Sequence, residues 1–330
     1  MNTGDFFKNL VSEKSITWCN GKMSEENTPN KSPSVKLIPN QDYFKIDLRA
    51  MFIPDQRKWL TKYHAVVYSF ISVPHPTGNI HEFNVITTPS KLQEMDKSNL
   101  SRVVMVNIPL LGNVPYTGVN VNMQVGLYSV VSSKITKPII DLFSEMSKMA
   151  GVSFVANALP YVKLLDRGIS IISNTESENE LEVGFVDTVS DLSTGYYVFT
   201  RAPKSRVTLS ELMISQEDCS LMFKNGKVFD EFPYIIIEIS ALKNRNDWFQ
   251  IPDIKSTYNI FLDKIKTRNK QTTYAALLNL ESALKFSGDL LKKDADKIYK
   301  KIKKETDEFL TIHRGTTIKI FPEAANLKVF

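Results

Sequence analysis

The chain has 330 residues, of which 42% are hydrophobic and 23% charged, with a formal net charge of +5. That length supports one large domain or two ordinary ones, and the balance excludes a disordered or fibrous chain. The positive excess is mild and dispersed, which speaks against a dedicated nucleic-acid binder. Two cysteines, Cys19 and Cys219, speak against a disulfide scaffold or a cysteine zinc site.

Residues 1–34 read as an N-terminal arm and linker. The opening "MNTGDFFKNLVSEK" has no apolar run of signal-peptide length, and Asp5 and Lys8 interrupt its apolar patch, so a cytoplasmic chain is expected. Phe6, Phe7, Leu10 and Val11 share one face of a short helix and form a candidate partner-docking surface. Asn20-Gly21 signals a turn, and "SEENTPNKSPS" reads as linker.

Residues 35–250 read as β-structure with a helical insert. "YFKIDLRAMF" puts Phe44, Ile46, Leu48 and Ala50 on one face and Lys45, Asp47 and Arg49 on the other. "YHAVVYSFISV" is apolar on both faces and suits a central strand; "HEFNVITT" and "RVVMVNIPLL" follow. "PLLGNVPYTG" reads as a turn. In "GVNVNMQVGLYSVV", Val119, Val121, Met123, Val125 and Leu127 alternate with Asn120, Asn122, Gln124 and Gly126. The apolar face of this strand is expected to pack in the protein's own core; a bilayer is the alternative, since no charged residue occurs between Arg102 and Lys134. The helical insert lies near 134–174, and Leu142 and Met146 on it are expected to pack against that strand. Further strands are "ELEVGFVDTV", "TGYYVFTRA" and "YIIIEISAL", with a two-residue hairpin at Asn225-Gly226.

Residues 251–330 read as a C-terminal helical segment ending in a short strand, "TTIKIFP". Ile254, Tyr258, Phe261 and Ile265 mark one helix face. Leu277, Leu280 and Leu284 mark a second, and Leu291, Ala295, Ile298, Ile302 and Phe309 a third. The expected fold is α+β: a mainly antiparallel β-sandwich, loosely C2-like, with a helical insert and a C-terminal helical segment.

Chemistry is thin. His64, His75 and His81, with Glu82, are the best concentration of metal ligands, but their spacing matches no zinc motif. Asp187 and Asp191 are too few for a calcium shell, and neither cysteine has a local base. No catalytic residue, metal or cofactor is assigned. Arg201, Lys204 and Arg206 in "RAPKSR" are a candidate contact for an anion or a lipid headgroup. The lysine-rich stretch 292–304 reads as the solvated side of an amphipathic helix.

The function expected from these features is a non-catalytic binding or scaffolding module of a cytoplasmic multi-protein assembly, of the kind found in bacterial defence or conflict systems. Its partners would be a protein or a second copy of itself; a membrane is a possible partner, and nucleic acid is disfavoured by the dispersed charge. Two alternatives stand beside it: a membrane-acting or pore-forming protein using the uncharged 103–133 region, and an enzyme with a dispersed, metal-dependent site around His64.

Overall fold

The computed structural model describes residues 17–54, 57–58, 61–74, 80–86, 104–131, 180–311, 321–327 and 329–330. The arm residues Phe6, Phe7, Leu10 and Val11, the expected helical insert and most of the expected C-terminal strand lie outside them. The described chain is α+β, with antiparallel sheets and three α-helices.

The strands in chain order are β1 (Trp18–Lys22), β2 (Tyr43–Phe52), β3 (Arg57–Lys58), β4 (Thr61–Pro74), β5 (Ile80–Ile86) and β6 (Val104–Pro115). They continue with β7 (Val121–Val131), β8 (Glu180–Val189), β9 (Gly195–Pro203), β10 (Leu212–Ile214), β11 (Leu221–Phe223) and β12 (Tyr234–Leu242). One five-stranded sheet has the order β1-β9-β12-β2-β6. The other runs β3-β4-β7-β8, with β5 also paired to β4, and β10-β11 is a separate ribbon.

The alternating stretch that opens at Gly118 resolves as β7. Val121, Met123, Val125 and Leu127 are buried, in one core with Val67 and Ile71 of β4, Phe44, Ile46 and Leu48 of β2, and Ile235, Ile237 and Ile239 of β12. The apolar face therefore lies in a core shared with residues of β2, β4 and β12. Asn122 on the opposite face is exposed, and its side-chain oxygen accepts from Thr188 Oγ1 at 2.8 Å. Val119 departs from the pattern: it precedes the strand and is 50% exposed.

Strand β2 also breaks its simple alternation. Ile236 pairs with Ala50 while Ile237 pairs with Leu48, so Arg49 is the extra residue of a bulge. The bulge resets the phase. Phe44, Ile46, Leu48 and Met51 enter the core between the sheets, whereas Ala50 and Phe52 turn to the opposite face. There they meet Tyr196, Val198, Tyr234, Ile236, Leu212 and Leu221 in a second core beneath the β10-β11 ribbon, so the first sheet is covered on both faces.

Three turn expectations also change. Asn20-Gly21 lies inside β1, where Asn20 Oδ1 accepts from the Thr200 amide at 3.0 Å; residues 17–34, expected as arm and linker, thus contribute a sheet strand. Pro109 and Gly112 lie inside β6, which among the described residues pairs only with β2; at such an edge proline is tolerated because an outward amide is not needed for the ladder. The Asn225-Gly226 hairpin has a three-residue loop. Gly226 donates to Phe223 O at 2.9 Å and carries φ +86°, and Phe223 then pairs with Lys227 O, so glycine supplies the left-handed residue after a tight turn.

The helices α1 (Pro252–Lys266), α2 (Lys270–Phe286) and α3 (Lys292–Thr311) bury the faces marked by their apolar periodicity. Pro252 opens α1, and Asn269 caps α2 by accepting from the Thr272 amide at 3.2 Å. Their core also holds Trp248, Phe321 and Leu327. Phe321 and Pro322, the end of the expected terminal strand, are irregular.

A buried polar joint ties this helical core to the ends of β2, β6 and β12. Tyr43 Oη donates to Asp294 Oδ2 at 2.6 Å and accepts from the Leu291 amide at 2.9 Å. The fully buried Arg245 side chain donates to Asn113 O at 2.6 Å, Asp289 O at 2.9 Å and Asp247 Oδ1 at 3.0 Å. Burial pushes the Tyr43 phenol far above its ordinary range, and the Asp294 carboxylate adds to that shift.

Candidate functional site

The structure separates most of the residues singled out by sequence. His81 is opposite Val73 in the β4-β5 register, nine residues along β4 from His64. At about 3.3 Å per residue that is roughly 30 Å, too far for the two to share an ion. Among the described residues no group of three histidine, cysteine, aspartate or glutamate side chains is placed to hold a metal. Asp187 sits in β8 opposite Met123, while Asp191 pairs with Lys36 at 2.7 Å.

In "RAPKSR", both arginines face carboxylates. Arg201 reaches from β9 to Glu182 of β8 at 3.5 Å, bridging the two sheets. Arg206 pairs with Glu231 at 3.2 Å and lies over the Phe232 ring. Lys204 is exposed in the turn between them. The charge of this loop is thus partly neutralised where it stands.

Both cysteines are buried and free, and desolvation pushes both thiols up. Cys219 lies beside Arg49, the bulged residue of β2, whose Nε is 3.4 Å from Glu238 Oε2. Burial, with the Glu238 carboxylate adding to it, pushes the Tyr196 phenol up to about 12. The result is a polar cluster at the margin of the second core.

Lys22 is the other unusual group. Its ammonium donates to Ser193 Oγ at 2.6 Å and to Ser34 Oγ, and burial pulls its pKa down. Nearby backbone donors are engaged: the Ser34 amide with Glu25 Oε1, the Val35 amide with Thr194 Oγ1 and the Thr194 amide with Val35 O. A serine-lysine pair needs free donors to hold an oxyanion. This cluster instead pins residues 33–37 against the start of β9.

The feature with the plainest outward chemistry is α2. Its buried face is Thr273, Ala276, Leu277, Leu280 and Leu284. On the opposite side Gln271, Ala275, Leu278, Ser282 and Phe286 recur at helical spacing, all exposed and all uncharged. Leu278 is 58% exposed and Phe286 85%. Thr273 Oγ1 donates to Lys264 O, which fixes the antiparallel register of α1 against α2. One turn further along that pair, Ile260, 53% exposed, sits at the level of Leu278. On the flank toward α3, Lys285 pairs with Glu281 at 2.5 Å and Tyr274 donates to Asp307 at 2.6 Å. The stripe is about 22 Å long at about 1.5 Å per residue.

Apolar spacing marks the buried face of α2 and not this one. Leu278 and Phe286 were legible as apolar residues two turns apart; only burial of the other face shows that they point outward. No described helix is long and apolar enough to cross a membrane. The chain matches no family model, no curated protein and no solved structure.

Proposed function

We propose that the chain is a non-catalytic binding module, a β-sandwich carrying a helical unit, that docks a protein partner or a second copy of itself within a larger assembly. The observation carrying this reading is the uncharged stripe of α2, with Phe286 85% and Leu278 58% exposed while Ala276, Leu277, Leu280 and Leu284 are buried on the opposite face. An exposed aromatic flanked by leucine along one helix face supplies an anchor for a groove or a facing helix. A role in a bacterial defence system remains compatible with this reading; the Lys, Asn and Ile usage suits an AT-rich genome.

The test is sedimentation velocity of the intact protein over about a hundredfold concentration range, with and without Leu278→Ser and Phe286→Ser. Self-docking predicts a concentration-dependent dimer that both substitutions abolish while the unfolding transition stays in place. If the protein remains a monomer throughout, the docking partner must be another chain. If neither self-association nor any purified partner's binding responds to the substitutions, the stripe is not the docking surface.

A further inference from the structure

We propose that the outer face of α3 is a lysine ladder that binds the phosphate backbone of single-stranded nucleic acid without sequence preference. Residues 292–304 hold seven lysines and two aspartates, a local excess equal to the net charge of the entire chain. One of those aspartates, Asp294, is buried against Tyr43. Folding into a helix sorts the rest. Lys293, Lys297, Lys300 and Lys304 recur at i, i+4, i+7 and i+11, all exposed, along one line about 16 Å long. Among the described residues none of the four forms an ion pair with a carboxylate. Lys293 donates to two backbone carbonyls, and Lys297 lies 4.6 Å from the centre of the Phe330 ring.

The order of charges along α3 is a second, independent pointer. Helices α1 and α2 carry lysine in their last turns, and α1 carries Asp253 in its first, as the helix dipole favours. Helix α3 follows this at its start, where Asp294 lies in the first turn beside Lys292 and Lys293, but departs from it at its end, which holds Asp307 and Glu308 and no lysine. Its like-charged neighbours four apart, Lys293 with Lys297 and Lys300 with Lys304, repel one another as well. The pair Lys301–Glu305, 3.2 Å apart, offsets part of this repulsion within the helix, and a linear polyanion laid along the ladder relieves the rest and releases its own counterions.

Other anionic partners fit less well. A lipid surface would need several large apolar side chains beside the lysines; the exposed large apolar residues among those described include none from α3, and of them Phe330 is the one recorded beside the ladder. A specific protein interface favours arginine and aromatic anchors at its centre, and the ladder holds only lysine. The half-exposed Phe330 ring beside Lys297 offers a base a stacking surface. This proposal does not rest on the α2 stripe.

The test is fluorescence anisotropy of the full chain with a labelled oligothymidylate, titrated at several salt concentrations. Four phosphate contacts predict a slope of log K against log salt of about −2.8, and Lys300→Gln with Lys304→Gln a slope of about −1.4. The double variant should keep its far-UV spectrum and melt no lower than the parent. Phe286→Ser, which disables the α2 stripe, should leave oligonucleotide binding unchanged. Absence of binding at low salt, a slope indifferent to the two lysines, or stronger ladder-dependent binding to phosphatidylserine vesicles or polyglutamate would each overturn the proposal.

Discussion

Val121→Asp and Val119→Asp form a matched pair. Both valines stand on the same side of the alternation in sequence, yet Val121 is 1% exposed and Val119 50%. Placing aspartate at 121 forfeits burial of a valine side chain, about 2 kcal/mol. It also leaves a carboxyl among Val125, Met123 and the facing sheet, about 2 kcal/mol more even as the neutral acid. The sum, about 4 kcal/mol, is a large part of the ~5–15 kcal/mol that holds an ordinary domain together. Burial disfavours the ionised form, so the loss should deepen as pH rises above the ordinary carboxylate value near 4 and shrink as pH falls toward it. Val119→Asp should stay within about 0.5 kcal/mol of the parent at every pH. Urea unfolding of both variants at pH 4.5 and 7.5 measures the difference. Equal costs at the two positions, or a Val121→Asp midpoint matching the parent's, would refute the packing of β7 between the sheets.

Three further outcomes are expected. Tyr43→Phe should cost about 2–3 kcal/mol by stripping a buried carboxylate of its donor, whereas Tyr274→Phe, whose hydroxyl also donates at 2.6 Å but in the open, should cost almost nothing; paired denaturant curves decide. Ser69→Ala should raise stability by about 1 kcal/mol, since Ser69 Oγ is buried without a hydrogen-bond partner among the described residues, and an unchanged or lower melting point would show that the hydroxyl is satisfied. Raised pKa values mean less thiolate at a given pH, so Cys19 and Cys219 should resist iodoacetamide at pH 8 and react once urea unfolds the chain, as mass spectrometry would record.

Much of the architecture was legible where one residue's environment depends on its neighbours in sequence. The three helix faces follow from apolar spacing alone, because the helix itself brings i, i+3 and i+4 together. The buried face of β7 follows from a period of two. Features set by a distant strand were not legible. Whether Ala50 faces one core or the other depends on the Arg49 bulge, which exists only in register with β12. Asn20-Gly21 makes a strand because β9 is there to pair with it. The Tyr43-Asp294 contact joins residues 251 apart in sequence, and nothing local to either marks it. The stripe of α2 and the ladder of α3 fall between these cases. Their spacing stood in the sequence, and the lysines of α3 read there as the solvated side of the helix, but that Leu278 and Phe286 of α2 meet solvent was settled by packing.

The position of β12 has a consequence for how this protein is made. Among the described residues it is the last strand in chain order and the central strand of its sheet, seated between β9 and β2. While the chain is being synthesised, β2 has its partner β6 on one side and an open ladder on the other until about 180 further residues have emerged, some 10–35 s at the usual pace of translation. During that interval Phe44, Ile46 and Leu48 have no β12 residues to pack beside. Nascent chains stalled before Tyr234 should therefore be the aggregation-prone species, held by chaperones, and release should coincide with the emergence of "YIIIEISAL".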